Sequence, residues 1–342
     1  MIEKGLASLK IADVAETSET EALVENSTTP IEPKPLPFKI CLLEIQPDLF
    51  RVGYHTSDDT EFSLEYKKTE KGCVVKYLEN KEDTVFDGEN HIEKGVADFV
   101  EVVKDPKCGI SVFHLDFDNE EKYTKDQYKL DCSILFLSLK LHFSQLPHQL
   151  HILGFFSYIG LNQFQYVTLL NFMKAGSLST LCLDNKMEAV EKILETEQWQ
   201  KAENACLEDV GNVPIEKFLH LKRCRLGKYP LTNEDVSKIV KKLVSSKGDF
   251  ESIRFRSQEM DFTEIHRYVK ANFGNRFCKT KLLMIPECED WLELICEPGR
   301  LTFAKYTPLY LSDVNMMKEI GKFFWYMLCT YVFCRPPVEE EH

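Results

Sequence analysis

The sequence predicts an α/β fold, with an α+β unit at the N-terminus leading into an irregular, leucine-rich-repeat-like solenoid of alternating strands and helices. Three observations carry this expectation. Six stretches between Ile110 and Phe255 that fit the pattern apolar-x-x-apolar-x-apolar are read as the teeth of a repeat. Stretches with helical periodicity lie between several of the recurrences. Successive starts are 40, 28, 24, 19 and 29 residues apart, mostly in or near the roughly 20–29 residues of leucine-rich repeats. One strand–helix unit cannot bury its own apolar face, so neighbours stack and share a core.

Residues 1–35 hold seven acids against three lysines and end in "TTPIEPKPLP". They carry too little apolar surface to offset the entropy of ordering and are expected to be disordered, with the prolines as a stiff linker. Residues 36–106 are the α+β unit. "FKICLLEI" and "LFRVGYH" read as strands, and "EFSLEYKKTEKGCVVKYLEN" as a hairpin turning at Gly72. Ile92, Val96, Phe99, Val100 and Val103 recur at helical spacing, ahead of the breakers Pro106 and Gly109.

The array spans residues 107–275. Its teeth are "ISVFHL" from Ile110, "LHILGF" from Leu150, "LSTLCL" from Leu178, "AENACL" from Ala202, "LKRCRL" from Leu221 and "FESIRF" from Phe250. Helices are expected over "NQFQYVTLLNFMK", "NKMEAVEKILETEQW" and "LTNEDVSKIVKKLVSS". The last opens with capping residues Thr232 and Asn233, places Glu234 and Asp235 at the positive end of the dipole, and carries the stripe Val236, Ile239, Val240 and Leu243. Residues 276–342 close the chain: two or three strands over 280–306, with turns at Pro286 and Pro298-Gly299, then a terminal helix from Ser312.

Bulk properties narrow the function. The 342 residues are 44% hydrophobic and 28% charged, as in ordinary globular proteins. A net charge of −13 argues against a broad phosphate-binding footprint. The run "FFWYMLCTYVFC" is twelve residues, short of the roughly 20 that span a bilayer. The N-terminus lacks the apolar core of a secretory signal. The twelve cysteines include no CxxC pair and sit mostly in apolar runs, as at Cys41, Cys132, Cys182 and Cys329. Free cysteine behaves there as a small hydrophobe, and an intracellular, cytoplasmic or nuclear location is expected.

Several stretches resemble the FTH domain, also called domain of unknown function 38, a family expanded in nematodes and usually found behind an F-box. They are "LEYKKTEKGCVVKYLENK", "ADFVEVVKDPKCGISVFHLDFDN", "LETEQWQKAENACLEDVGNVPIEKFLHLKRCRL" and "LTNEDVSKIVKKLVSSKGDFESIRF". Glu197-Gln198-Trp199-Gln200-Lys201-Ala202 and Pro214-Ile215-Glu216-Lys217-Phe218 carry the likeness most clearly. The resemblance covers roughly residues 40–265. It implies capture of a protein target, and, where an F-box is present, docking to the linker subunit of a cullin-type ubiquitin ligase. Residues 1–37 are acidic, thin in large apolar side chains and closed by prolines, and do not read as an F-box.

Catalytic constellations are weak. His142, His148 and His151 lie close in sequence, but no acids or thiols complete a metal site beside them. "DFDNEEKYTKD" lacks the central glycine and spaced oxygens of a calcium loop. No GxxxxGK[ST], GxGxxG or GxSxG occurs. The expectation is a non-enzyme, with no cofactor and no metal, that recognises a protein partner. Residues alternating with the buried ones on each tooth face one common surface. They begin at Val112, His114 and Asp116, then Thr180, Cys182, Asp184, Asn204, Cys206 and Glu208, and end at Arg223, Arg225, Arg254 and Arg256. The row is acidic early and basic late, which suits orientation of an elongated partner. The partner candidates are Asp116, Thr180, Cys182, Asp184, Asn204, Glu208 and these four arginines. Nucleic-acid binding through the arginines and the lysines of 238–247 is the rival, disfavoured by net charge.

Overall fold

A computed structural model describes residues 38–77, 83–117, 123–183, 189–245, 251–256, 263–273, 282–284, 291–297 and 300–306. The N-terminal segment 1–35 and the expected helix from Ser312 lie outside the described residues.

Fourteen strands form one sheet among the described residues, in the order β12-β13-β14-β11-β10-β9-β8-β7-β6-β1-β2-β3-β4-β5. The middle of the sheet is parallel: β1 (Phe38–Gln46), β6 (Gly109–Phe117), β7 (His151–Ser157), β8 (Thr180–Leu183), β9 (Asn204–Leu207), β10 (Arg223–Gly227) and β11 (Ser252–Arg256). All six sequence teeth are strands of this array. β1 is a seventh: "FKICLL" fits the same pattern, and Phe38, Cys41 and Leu43 stand opposite Ile110, Phe113 and Leu115.

Antiparallel meanders flank both ends. One is β2 (Leu49–Thr56), β3 (Glu61–Thr69), β4 (Gly72–Tyr77) and β5 (Thr84–Asp87). The other is β14 (Arg300–Tyr306), β13 (Trp291–Glu297) and β12 (Leu282–Met284), added beside β11. Three closing strands therefore form where two or three were expected. A repeat array needs its ends closed, because an open strand edge invites pairing with other chains.

Among the described residues seven helices lie between the strands: α1 (His91–Val103), α2 (Lys125–Ser144), α3 (Gln163–Asn171), α4 (Glu191–Leu194), α5 (Glu197–Lys201), α6 (Asn233–Ser245) and α7 (Thr263–Phe273). Local chemistry sets their starts. Asn90 Oδ1 accepts from the amides of Ile92 and Glu93, and Asn162 forms a reciprocal capping box with Gln165. Thr232 and Asp235 exchange equivalent bonds at the head of α6, whose stripe Val236, Ile239, Val240 and Leu243 is buried. Every helix places buried side chains in the same core cluster as the inward residues of the strands.

Two expectations need correction. "NKMEAVEKILETEQW" is not one helix: Thr196 ends one short segment and caps the next, its hydroxyl donating to the Ile193 carbonyl and accepting from the Trp199 amide. The second tooth is also out of phase. Phe155 stands opposite Phe113 and Leu181, so the core residues of β7 are Ile152, Phe155 and Ser157, while Leu153 is 37% exposed. Ser157 is the cause. It occupies the third apolar slot, fully buried, bonded at 3.0 Å to the Tyr166 hydroxyl, which donates to the Ile159 carbonyl. A phenol from α3 does there what leucine does in other strands, and the apolar pattern slides two residues back.

Candidate functional site

The strands' other side chains form the opposite face of the sheet, and most are half-buried or exposed. Register turns this face into rows. The fifth places give Leu42, His114, Phe156, Cys182, Cys206, Arg225, Arg254 and Thr302, one per strand from β1 to β11 and then β14. The third places give Ile40, Val112, Gly154, Thr180, Asn204, Arg223, Ser252 and Ala304. At the seventh places Glu44 faces Asp116, and Gly227, Arg256 and Arg300 follow one another.

The early end is acidic but partly neutralised. Arg51 on β2 reaches Glu44 at 3.0 Å and Glu65 at 2.8 Å, and Gln46 adds a bond to Glu44 at 2.7 Å. The hydrogen bond to Glu65 raises the Arg51 pKa, against the opposing effect of burial. Asp116 remains more open, 4.0 Å from His114 Nε2. Burial pushes the His114 pKa down and Asp116 pulls the other way, so the ring is neutral at neutral pH.

The middle is aromatic. The His114 ring lies edge-on to Tyr158 at 4.9 Å and to Phe156 at 6.4 Å. Gly154 makes room for this, since a Cβ there would stand 3.0 Å from the Phe156 ring. Further along, Asn204 donates to the Thr180 hydroxyl at 3.2 Å. Gly227 accommodates Glu208 in the same way: a Cβ at Gly227 would fall 2.3 Å from the Glu208 carbonyl oxygen.

The arginines gather at the late end, but on different rows of the face. Arg225 and Arg254 are true neighbours; Arg223 stands opposite Ser252, and Arg256 lies between Gly227 and Arg300. Arg223 pairs with Glu251 at 2.5 Å, both side chains 45% exposed. Arg300 was not expected from the sequence, because β14 reaches the array by an antiparallel return. Cys182 is only 3% exposed and is not displayed to a partner as anticipated. Asp184 lies outside the described residues. Leu42, Glu44 and Phe156 were also missed, and the signals were legible: β1 repeats the tooth pattern, and the corrected phase of β7 brings Phe156 onto the face.

The described cysteines are free thiols, and burial pushes Cys132 up to about 11 and Cys108 up to about 12. Among the described residues no three His, Cys, Asp or Glu side chains form a metal cluster. Among them, too, no helix is long and apolar enough to cross a membrane.

The FTH domain family model matches residues 142–272, running from the end of α2 through β7–β11 into α7. No curated protein and no solved structure matches the chain. Of the residues that carry the likeness, Gln198, Trp199, Ala202, Ile215 and Phe218 are buried, and the others are exposed. Trp199 is fully buried, edge-on to Phe218 at 5.9 Å and to His220 at 5.8 Å, and its indole donates to the Lys217 carbonyl at 3.3 Å. The two signature stretches thus pack on each other where β8 crosses to β10, on the side of the sheet away from the open face.

Proposed function

We propose that the protein is a non-catalytic recognition module whose open sheet face takes an elongated protein partner. The observation that supports this best is the outward face of seven parallel strands, acidic at Glu44 and Asp116, aromatic at His114 and Phe156, and basic at Arg225, Arg254 and Arg256. Each described helix buries apolar side chains in the core on the other side. Opposite charges at two ends of one surface fix a partner's direction more than they raise its affinity.

The test is affinity purification from native lysate with the full chain as bait, beside a variant with Arg223, Arg225, Arg254 and Arg256 changed to Glu. The expected result is loss of the specifically bound proteins while the melting temperature holds. An unchanged set of bound proteins contradicts the reading. Ligase subunits among the captured proteins would add the adaptor role, and a gel shift at physiological salt separates protein from nucleic-acid binding.

A further inference from the structure

A second surface lies on the helical side. Leu130, Leu137 and Leu141 on α2 are 53%, 60% and 57% exposed, three of the large apolar side chains left open among the described residues. With the half-buried Ile134 they follow steps of four, three and four residues, which is the heptad seam of a helix meeting another helix almost lengthwise. The stripe runs for three turns, about 16 Å. The opposite side of α2 is fully used: Cys132, Leu135, Leu139 and Phe143 are buried in the core. α2 is therefore apolar on two faces, and folding the domain accounts for one of them. An exposed apolar stripe of this kind marks an interaction site.

Charge selects the occupant. Lys129 and Lys140 are exposed and, three turns apart, line one flank of the stripe. Neither has an ion-pair partner among the described residues. Lysines without an ion pair among the described residues also stand elsewhere on the surface, as at Lys71, Lys107 and Lys174, so what distinguishes Lys129 and Lys140 is their place along an apolar stripe. From that place they would meet acids along the edge of a helix laid on the leucines. We propose that the outer stripe of α2 docks an amphipathic helix of a protein partner, with leucine-like residues on its seam and acids along the edge that meets Lys129 and Lys140. Two copies of this chain would bring these lysines into a shared interface, which disfavours self-pairing.

The experiment uses the full chain and a dye-labelled three-heptad peptide with leucine at a and d and glutamate at e and g, beside the same peptide with lysine at e and g. Fluorescence anisotropy is expected to show binding of the acidic peptide at least ten-fold tighter than the basic one. Leu137→Glu should weaken the acidic peptide ten-fold or more, and Leu137→Ser, which introduces no charge, should weaken it as well. Lys129→Glu with Lys140→Glu should reverse the preference. Equal binding of both peptides, no binding of the acidic one, or affinity indifferent to Leu137 overturns the proposal. A concentration-dependent dimer in sedimentation, dissolved by Leu137→Glu, also overturns it, because the stripe's occupant is then a second copy.

Discussion

The two sides of the same seven strands obey different rules. Inward, the fourth and sixth places hold Cys41 and Leu43, Phe113 and Leu115, Phe155 and Ser157, Leu181 and Leu183, Ala205 and Leu207, Cys224 and Leu226, then Ile253 and Phe255, all nearly inaccessible. Outward, the chemistry changes strand by strand from Glu44 through Phe156 to Arg254. The inward side is constrained by volume, since close-packed interiors respond to single methylene groups. The outward side is free of that constraint and can carry specificity. The FTH likeness belongs in part to the first side, where Trp199 and Phe218 are fully buried. It says how the face is built and leaves its occupant to be read from the face itself.

The comparison breaks most visibly at β7, where sequence and structure assign adjacent residues to opposite sides. Phe155→Ala should cost about 3–5 kcal/mol of unfolding free energy, whereas Leu153→Ala should stay within about 0.5 kcal/mol. Urea denaturation of both variants checks this, and comparable losses would restore the original phase.

Next in size is a titration under the meander. His91, at the first turn of α1, is 3% exposed, and neither ring nitrogen has a hydrogen-bond partner among the described residues. Burial, reinforced by Lys68 and opposed by Asp48, lowers its pKa from 6.5 to about 4. Above 6.5 the ring is neutral in folded and unfolded chains alike. Between 6.5 and 4 only the unfolded chain takes the proton, so stability falls as pH falls through that window and levels off below it. The loss should approach about 3 kcal/mol. His91→Phe should flatten that part of the stability-against-pH curve; a curve unchanged by the substitution would remove His91 from the account.

The smallest effect belongs to the outward side. Arg51→Ala leaves Glu44, 8% exposed, without its cation. Because Arg51 is itself about a third exposed, the expected cost is only about 1–2 kcal/mol. Replacing Glu44 and Arg51 together by Gln and Met should recover most of it in a double-mutant cycle. Failure to recover would show that Arg51 acts through Glu65 instead.

What the sequence made legible follows from these rules. Periodicity exposed the inward residues of five of the six teeth, the hairpin at Gly72 and the stripes of α1 and α6, because each reports burial along one local element. It failed at Ser157, where a polar residue is satisfied by Tyr166 from a neighbouring helix. It also joined "NKMEAVEKILETEQW" into one helix, where the Thr196 hydroxyl ends one segment and begins the next. Arg300 could not be placed at all, because its neighbour Arg256 depends on an antiparallel return rather than on spacing. The α2 stripe was present in the sequence, but periodicity alone does not say which of two apolar faces the core takes.

The central claim is that a partner occupies the open sheet face. Hydroxyl-radical footprinting of the purified complex tests it most directly, because it reads side-chain shielding on each side of the sheet separately. The account predicts protection of Leu42, Phe156 and Tyr158 on binding. Unchanged oxidation of these three side chains in a complex that is demonstrably assembled would contradict it.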